Sequence, residues 1–415
     1  MFLRKLLIIL LIFQPFVEKM TKKMGLGFDV FNELISIGVL MAYLFVMYKT
    51  KKAHNLTILA VAFIGYLILL GLLRQIVPLT VLQIVMYSQF FFYFFYFFSL
   101  SPEEKKQTFI ALKKIFDYVV IIIAIIALIE VVDHSTWRSF LGVHSVKRGI
   151  NYFYLISFFG SGPSLAIFTS LYVFVWHYYH YVLGSKKVTK DKFLLVLAIG
   201  LGVLSFSRKE VLFVFLFLIF FPYPSRSNLN KWAKRAIFLV GAFVSLVVYY
   251  LSFFADANSV AFDQNYIRWK IVSKSLEVFG DYAPFGTGAG TFGSRVSLMM
   301  PHIYDQYNIG EDMLGYKVLG NTGPIYDAFM FTFLTEIGIG ILIFLFFFYK
   351  LLEARTHFKT AYSVFVKNYL IVYFLLLSLF VPMVTNNFGF IIFILLGLMI
   401  SQVSLLTFRR WYAKD

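Results

Sequence analysis

The chain has 415 residues, of which 60% are apolar, 20% aromatic and only 14% charged, against roughly 25% charged in a soluble domain. It carries 38 Lys and Arg against 21 Asp and Glu, a net charge of +17, and no cysteine. This excludes a soluble globular domain, a disordered chain, a disulfide scaffold and any cysteine-based metal site or nucleophile. The positive excess is therefore read first as the loop asymmetry of a membrane protein, not as a nucleic-acid footprint.

A bilayer-crossing helix needs about 20 apolar residues. In chain order, twelve runs are candidates: Leu3–Val17, Phe28–Tyr48, Leu56–Leu73, Leu79–Leu100, Ile115–Val132, Tyr152–Leu183, Phe193–Phe206, Val211–Phe221, Ala236–Phe254, Pro324–Tyr349, Tyr362–Val381 and Phe388–Phe408. None alternates with period two, as the strands of a β-barrel would. The expected fold is an all-α polytopic membrane protein of about 12 spans, a single integral domain over residues 1–415 without internal repeat. Arg4 and Lys5 precede a short apolar core as in a signal peptide, but no A-x-A-like site follows, so the first run is read as an uncleaved helix. Ser101-Pro102-Glu103-Glu104 is a helix start with a Ser cap, Pro in the first turn and a capping-box Glu. The Phe/Tyr tract Phe90–Phe98 is read as packing against lipid or helices.

Orientation follows from the loops. With the N-terminus cytoplasmic, 24 of the 38 cations lie inside, and five of the remaining 14 sit in one long external loop, which the positive-inside rule does not count. Both termini are then cytoplasmic. The 29 residues Phe193–Phe221 are too few for two full spans and too many for one. A hairpin of two short helices keeps the flanking Lys and Arg clusters inside. Its tip, Ser207-Arg208-Lys209-Glu210, should be recessed, because 14 residues reach only about 21 Å of a core of about 30 Å.

An ionisable group at such depth is a candidate functional residue. Arg148, Arg208 and Arg268 all fall on the external side, and guanidinium groups hold phosphate oxygens bidentately without losing their proton. Each also has a plainer reading: Arg148 as a marker of the membrane surface, Arg208 as a partner of Glu210, and Arg268 on an interfacial helix over Tyr266–Phe279. Lys209 and Trp269 are their neighbours in sequence. Arg74, ending the third span, fits either a substrate contact or a snorkelling anchor. The long external loop, residues 255–323, is the only segment large enough for a small subdomain with short helices. It contains His302 and the run Pro284-Phe285-Gly286-Thr287-Gly288-Ala289-Gly290-Thr291-Phe292-Gly293. Gly286, Gly288 and Gly290 suit either amide groups turned toward an anion or a tight turn that lets backbone pack closely. Asp327 and Glu336, nine residues apart on the tenth span, face roughly opposite sides of a helix, and either can act as general base or counter-ion. No metal-ligand spacing occurs.

Four pieces in order then resemble a known family: Arg148 followed by Phe159-Gly160-Ser161-Gly162-Pro163; Ser207-Arg208 at a hairpin tip; Arg268-Trp269 followed by the glycine run; and Asp327-Ala328-Phe329 leading to Glu336-Ile337-Gly338. Over about Arg148 to Phe348 the chain resembles the O-antigen polymerase and O-antigen ligase superfamily of bacterial inner membranes. The resemblance implies a fold related to GT-C glycosyltransferases. It also implies a glycan donor on undecaprenyl diphosphate, a periplasmic active site and no metal or other cofactor. It gives Arg148, Arg208 and Arg268 the grip on the diphosphate. The family's ligases usually carry His where this chain has Asp327, which looks more like the polymerase branch. The implied partners are lipid-linked glycans as donor and acceptor, membrane lipid, a chain-length regulator and a flippase, with no nucleic acid. A ligase and a lipid-linked oligosaccharide flippase are the alternative readings.

Overall fold

The computed structural model describes residues 1–23, 31–50, 56–74, 76–143, 147–148, 152–186, 188–223, 267–294, 296–299, 302–309, 328–379 and 381–403. The run Ala236–Phe254 lies outside the described residues, as does Asp327, and so do the side chains of Arg148, Arg208, Arg268 and Trp269. The described residues are overwhelmingly helical. Five helices among them are long and apolar enough to cross a membrane: Leu56–Leu73, Val77–Phe98, Pro102–Val132, Phe329–Glu353 and Ala361–Ser378. Asn387–Met399 is a shorter apolar helix.

The chain divides into two compact units interleaved in sequence. One comprises residues 1–35, 100–259 and 356–370, the other residues 36–99, 260–355 and 371–415.

In the first unit, the capping box at Ser101 is formed. Its hydroxyl accepts from Glu104 N (3.3 Å) and Glu104 Oε2 accepts from Ser101 N (3.1 Å). Glu104 also pairs with Arg4 at 2.5 Å. The expected connector and fifth span are one continuous helix, Pro102–Val132. At 1.5 Å per residue its 31 residues reach about 46 Å, well beyond the hydrocarbon core.

The sixth candidate, Tyr152–Leu183, is not one run. It opens as a two-residue antiparallel ribbon, Lys147–Arg148 with Tyr152–Phe153, followed by a 3₁₀ turn at Ser157–Phe159. A helix starts only at Gly162–His177 and widens into a π turn at Tyr178–Val182. The start is local chemistry: Ser161 caps the helix by accepting from Ser164 N at 3.2 Å, and Pro163 sits in the first turn, where its missing N–H costs nothing. The expected hairpin is present as Thr189–Leu204 and Arg208–Phe220. Its helices reach about 24 and 20 Å. At its base Asp191 is anchored by the buried ammonium of Lys113 (2.5 Å), which also holds Asp117 (2.7 Å).

In the second unit, the aromatic tract of Val77–Phe98 faces protein. Phe90, Phe91, Tyr93, Phe94 and Phe97 are all buried. Tyr93 stacks on Phe390 and Phe90 meets Phe393, both with centroids 4.8 Å apart. A Cβ on Gly397 would lie 2.8 Å from the Phe94 carbonyl oxygen. A glycine is what lets the two helices approach, as expected where packing, not the hydrophobic effect, holds membrane helices together. The tenth candidate run is interrupted: Phe329–Ile337 ends in a 3₁₀ turn at Gly338–Gly340 before Ile341–Glu353 resumes.

Candidate functional sites

In the second unit the interrupted helix and the glycine run form one structure. Breaking a helix leaves its last carbonyls and the next amides without partners. The loop supplies them. Thr287 N donates to Thr335 O (2.9 Å), Gly288 N to Glu336 O (2.9 Å), and Ile339 N to Pro284 O (2.8 Å). Tyr66 sets its hydroxyl within hydrogen-bond distance of Ile337 O (2.7 Å) and Phe285 O (3.0 Å). The approach is so close that Gly338, at φ +51°, would place a Cβ 2.3 Å from the Phe285 carbonyl carbon. Gly286, at φ +84°, would place one 2.6 Å from Glu336 O. Irregular backbone at membrane depth is tolerated only where protein satisfies it in this way.

Glu336 is the centre of this nest and is completely buried. Its Oε1 accepts from the amides of Gly290 (3.1 Å) and Phe292 (2.8 Å), and its Oε2 from the Tyr87 hydroxyl (2.5 Å). The glycine run therefore does turn amides toward an anion, and the anion is the chain's own carboxylate. Gly286 N is engaged by Tyr282 O at 3.0 Å, so all three candidate glycine amides have partners within the protein. Tyr87 and Tyr66 were not singled out from sequence. Both sit in apolar helices where a tyrosine reads as packing, and only the fold aims their hydroxyls.

Arg74 joins this nest from the end of Leu56–Leu73. Its Nε donates to Gly286 O at 3.1 Å and its guanidinium lies 4.9 Å from the centre of the Tyr282 ring. Arg268 is the second residue of the helix Ile267–Tyr282 in the same unit. His302 opens the short helix His302–Gln306 and is exposed.

In the first unit the structure joins the segments that carry Arg148 and Arg208. Leu155, which follows the Lys147–Arg148 ribbon, donates its amide to Leu204 O at 3.0 Å. Tyr154 and Ile156 share an apolar cluster with Phe206, the residue before Ser207-Arg208. Phe206 turns the chain at φ +53°. A buried ion pair fixes this junction: Glu130 accepts from Ile156 N (3.2 and 3.1 Å) and Ser157 N (3.0 Å), and meets Arg138 at 3.4 Å. Arg138 donates in turn to Tyr154 O and lies over the Tyr154 ring. Glu130 and Arg138 were missed from sequence, although a carboxylate inside an apolar run was a usable signal.

At the hairpin tip Glu210 is fully buried. It accepts from the Ser207 hydroxyl, and Lys209 is 3.8 Å from its Oε1. Lys209 itself is one-third exposed. Glu210 lines a small, partly open pocket with Thr169, Ser170, Gly202 and Val211. Among the described residues no three His, Asp or Glu side chains gather closely enough to hold a metal ion. No known family model matches the chain, and no curated protein matches it.

Proposed function

We propose that this protein is a membrane glycosyltransferase that polymerises oligosaccharide repeat units carried on undecaprenyl diphosphate, at the periplasmic face of a bacterial inner membrane. The observation that carries the reading is the order of the Arg148, Arg208, Arg268 and Asp327 elements in the sequence, together with the external side that the loop charges lead one to expect for them. The junction of the Arg148 and Arg208 segments in one unit supports it, because two cations that grip one diphosphate have to be held near each other.

In this mechanism the acceptor hydroxyl attacks the anomeric carbon of the donor. The bond from that carbon to the diphosphate oxygen breaks, and undecaprenyl diphosphate departs with the electron pair. Arg148, Arg208 and Arg268 stabilise the charge that builds on it, which preorganised guanidinium groups do without donating a proton. Asp327 takes the hydroxyl proton. Holding both glycans on the enzyme makes the attack effectively intramolecular. Glu336 is assigned no proton transfer in this scheme, because its carboxylate is engaged inside the protein by Tyr87 and by the amides of Gly290 and Phe292, where it shapes the loop.

The test is the glycan ladder of a strain lacking the gene, complemented with wild type or Arg208→Ala. A polymerase leaves one repeat unit on the lipid in both the deletion and the variant, with the variant protein still abundant in the membrane. Full-length glycan stranded on the carrier would instead identify a ligase, and absence of periplasmic glycan a flippase. An unaltered ladder with Arg208→Ala overturns the assignment of that residue.

A further inference from the structure

A polymerase joins two lipid-linked glycans, so it must hold two diphosphates at once, one leaving and one retained on the product. The three arginines above account for one. We propose that Arg74 holds the other: the diphosphate of the second polyprenyl-linked glycan, bound in the second unit beside the glycine loop. This inference rests on the polymerase reading.

Three observations lead to it. First, the guanidinium is fixed in place on two sides. Nε is tied to Gly286 O at 3.1 Å, and the Tyr282 ring lies 4.9 Å from its centre. A snorkelling anchor needs neither restraint, because it works by reaching freely to the headgroups. A planar fork held by its Nε keeps both terminal amino groups directed to one side, the arrangement that binds two phosphate oxygens. Second, Arg74 is half-buried, and among the described residues no carboxylate lies within ion-pair distance of it. A charged and partly desolvated fork with no carboxylate partner is set up for an anion from outside the chain. Third, this anion differs from the one gripped through Arg268. Tyr282 is fourteen residues beyond Arg268 on the same helix, about 21 Å along its axis. A diphosphate spans only a few ångströms and cannot reach both positions.

The experiment counts lipids on the purified full-length protein by native mass spectrometry, with undecaprenyl diphosphate as the probe and phosphatidylglycerol as competitor. Wild type is expected to bind two molecules of undecaprenyl diphosphate. Arg74→Gln should bind one, with the second weakened roughly tenfold or more, the scale of losing charge-assisted hydrogen bonds. Arg268→Ala should lose the other molecule instead. Tyr282→Leu, which keeps Arg74 but removes the ring beneath it, should weaken the second molecule by a smaller factor, and it serves if Arg74→Gln does not fold. Two molecules retained on both variants would overturn the proposal. So would displacement of the second by equimolar phosphatidylglycerol, which would mark a bulk headgroup contact. If wild type binds no undecaprenyl diphosphate, the polymerase reading itself fails. If it binds one, which Arg268→Ala removes and Arg74→Gln does not, that reading stands and this inference falls.

Discussion

Glu336 and Glu130 solve the same problem in opposite ways. Each is a carboxylate buried in an apolar helix bundle, and each gathers two amides of an irregular segment far away in sequence. Glu130 has a cation beside it, Arg138 at 3.4 Å, and both side chains are 1% exposed. Glu336 is held by dipoles: two amides and a tyrosine hydroxyl. In the first case the carboxylate's charge is required, because an arginine is buried with it. In the second the acceptor atoms are required and the charge is not. Charge and hydrogen-bonding capacity, inseparable in a glutamate, are thus separable between these two places.

Substitution can break or sharpen that contrast. The largest effect is expected from Glu336→Ala, which strips the acceptor from three buried donors at about 1–3 kcal/mol each. The detergent-solubilised protein should unfold at far lower temperature or fail to accumulate. Glu130→Gln should come next, because it leaves Arg138 buried without its counter-charge, a loss of about 3–5 kcal/mol. Glu336→Gln keeps an oxygen for the two amides, and Tyr87 can turn its hydroxyl to accept from the new NH₂ group. It should cost no more than about 1.5 kcal/mol. If Glu336→Gln proves as damaging as Glu130→Gln in thermal unfolding, the distinction between the two sites is wrong.

A backbone change probes the same loop without touching the carboxylate. Gly290 has φ +89°, and its Cβ would sit 3.0 Å from the Leu79 carbonyl oxygen. Gly290→Ala should therefore cost about 1–3 kcal/mol in strain, read as a lowered midpoint in the same thermal assay.

The smallest effect belongs to the surface. Asp133 caps the helix His134–Phe140 by accepting from Thr136 N at 3.0 Å, and these hydrogen bonds hold its carboxyl down at about 2. A carboxylate whose pKa is depressed on folding adds stability above its unfolded value, near 3.9, and loses it as pH falls toward the folded value. Asp133→Ala should lower the unfolding temperature slightly at pH 7, and the difference should close by about pH 2. A difference that persists at low pH would show that the cap does not depend on charge.

Much of the fold was legible from periodicity and end signals alone. The apolar runs, the capping box at Ser101 and the short hairpin before and after Ser207 depend on residues within a few positions of one another. The glycine run was legible as a close-packed, amide-presenting loop, because left-handed φ and missing side chains are properties of glycine itself. What it packs against was not. Glu336 lies 46 residues beyond Gly290, and an acid entering a span reads equally well as base, counter-ion or ligand. The full extent of the breaks in the sixth and tenth runs escapes the hydropathy pattern for a related reason. Hydropathy measures whether a residue tolerates lipid, and Phe, Ile and Gly tolerate it equally in a helix or in a turn that a neighbour satisfies.

The sequence by itself determined that this is a helical membrane protein, because apolar runs of this length and composition have no other stable environment. Its cation asymmetry set the expected orientation. Only the tertiary structure decided which charges are internal. Glu130, Glu336 and Arg138 are now structural partners of backbone brought in from elsewhere in the chain. Arg74 keeps a restrained guanidinium with no described carboxylate beside it. The physical reason is range. Transfer energies and propensities are summed residue by residue, whereas the partner of a buried charge is chosen by contacts across tens or hundreds of residues that no local window contains.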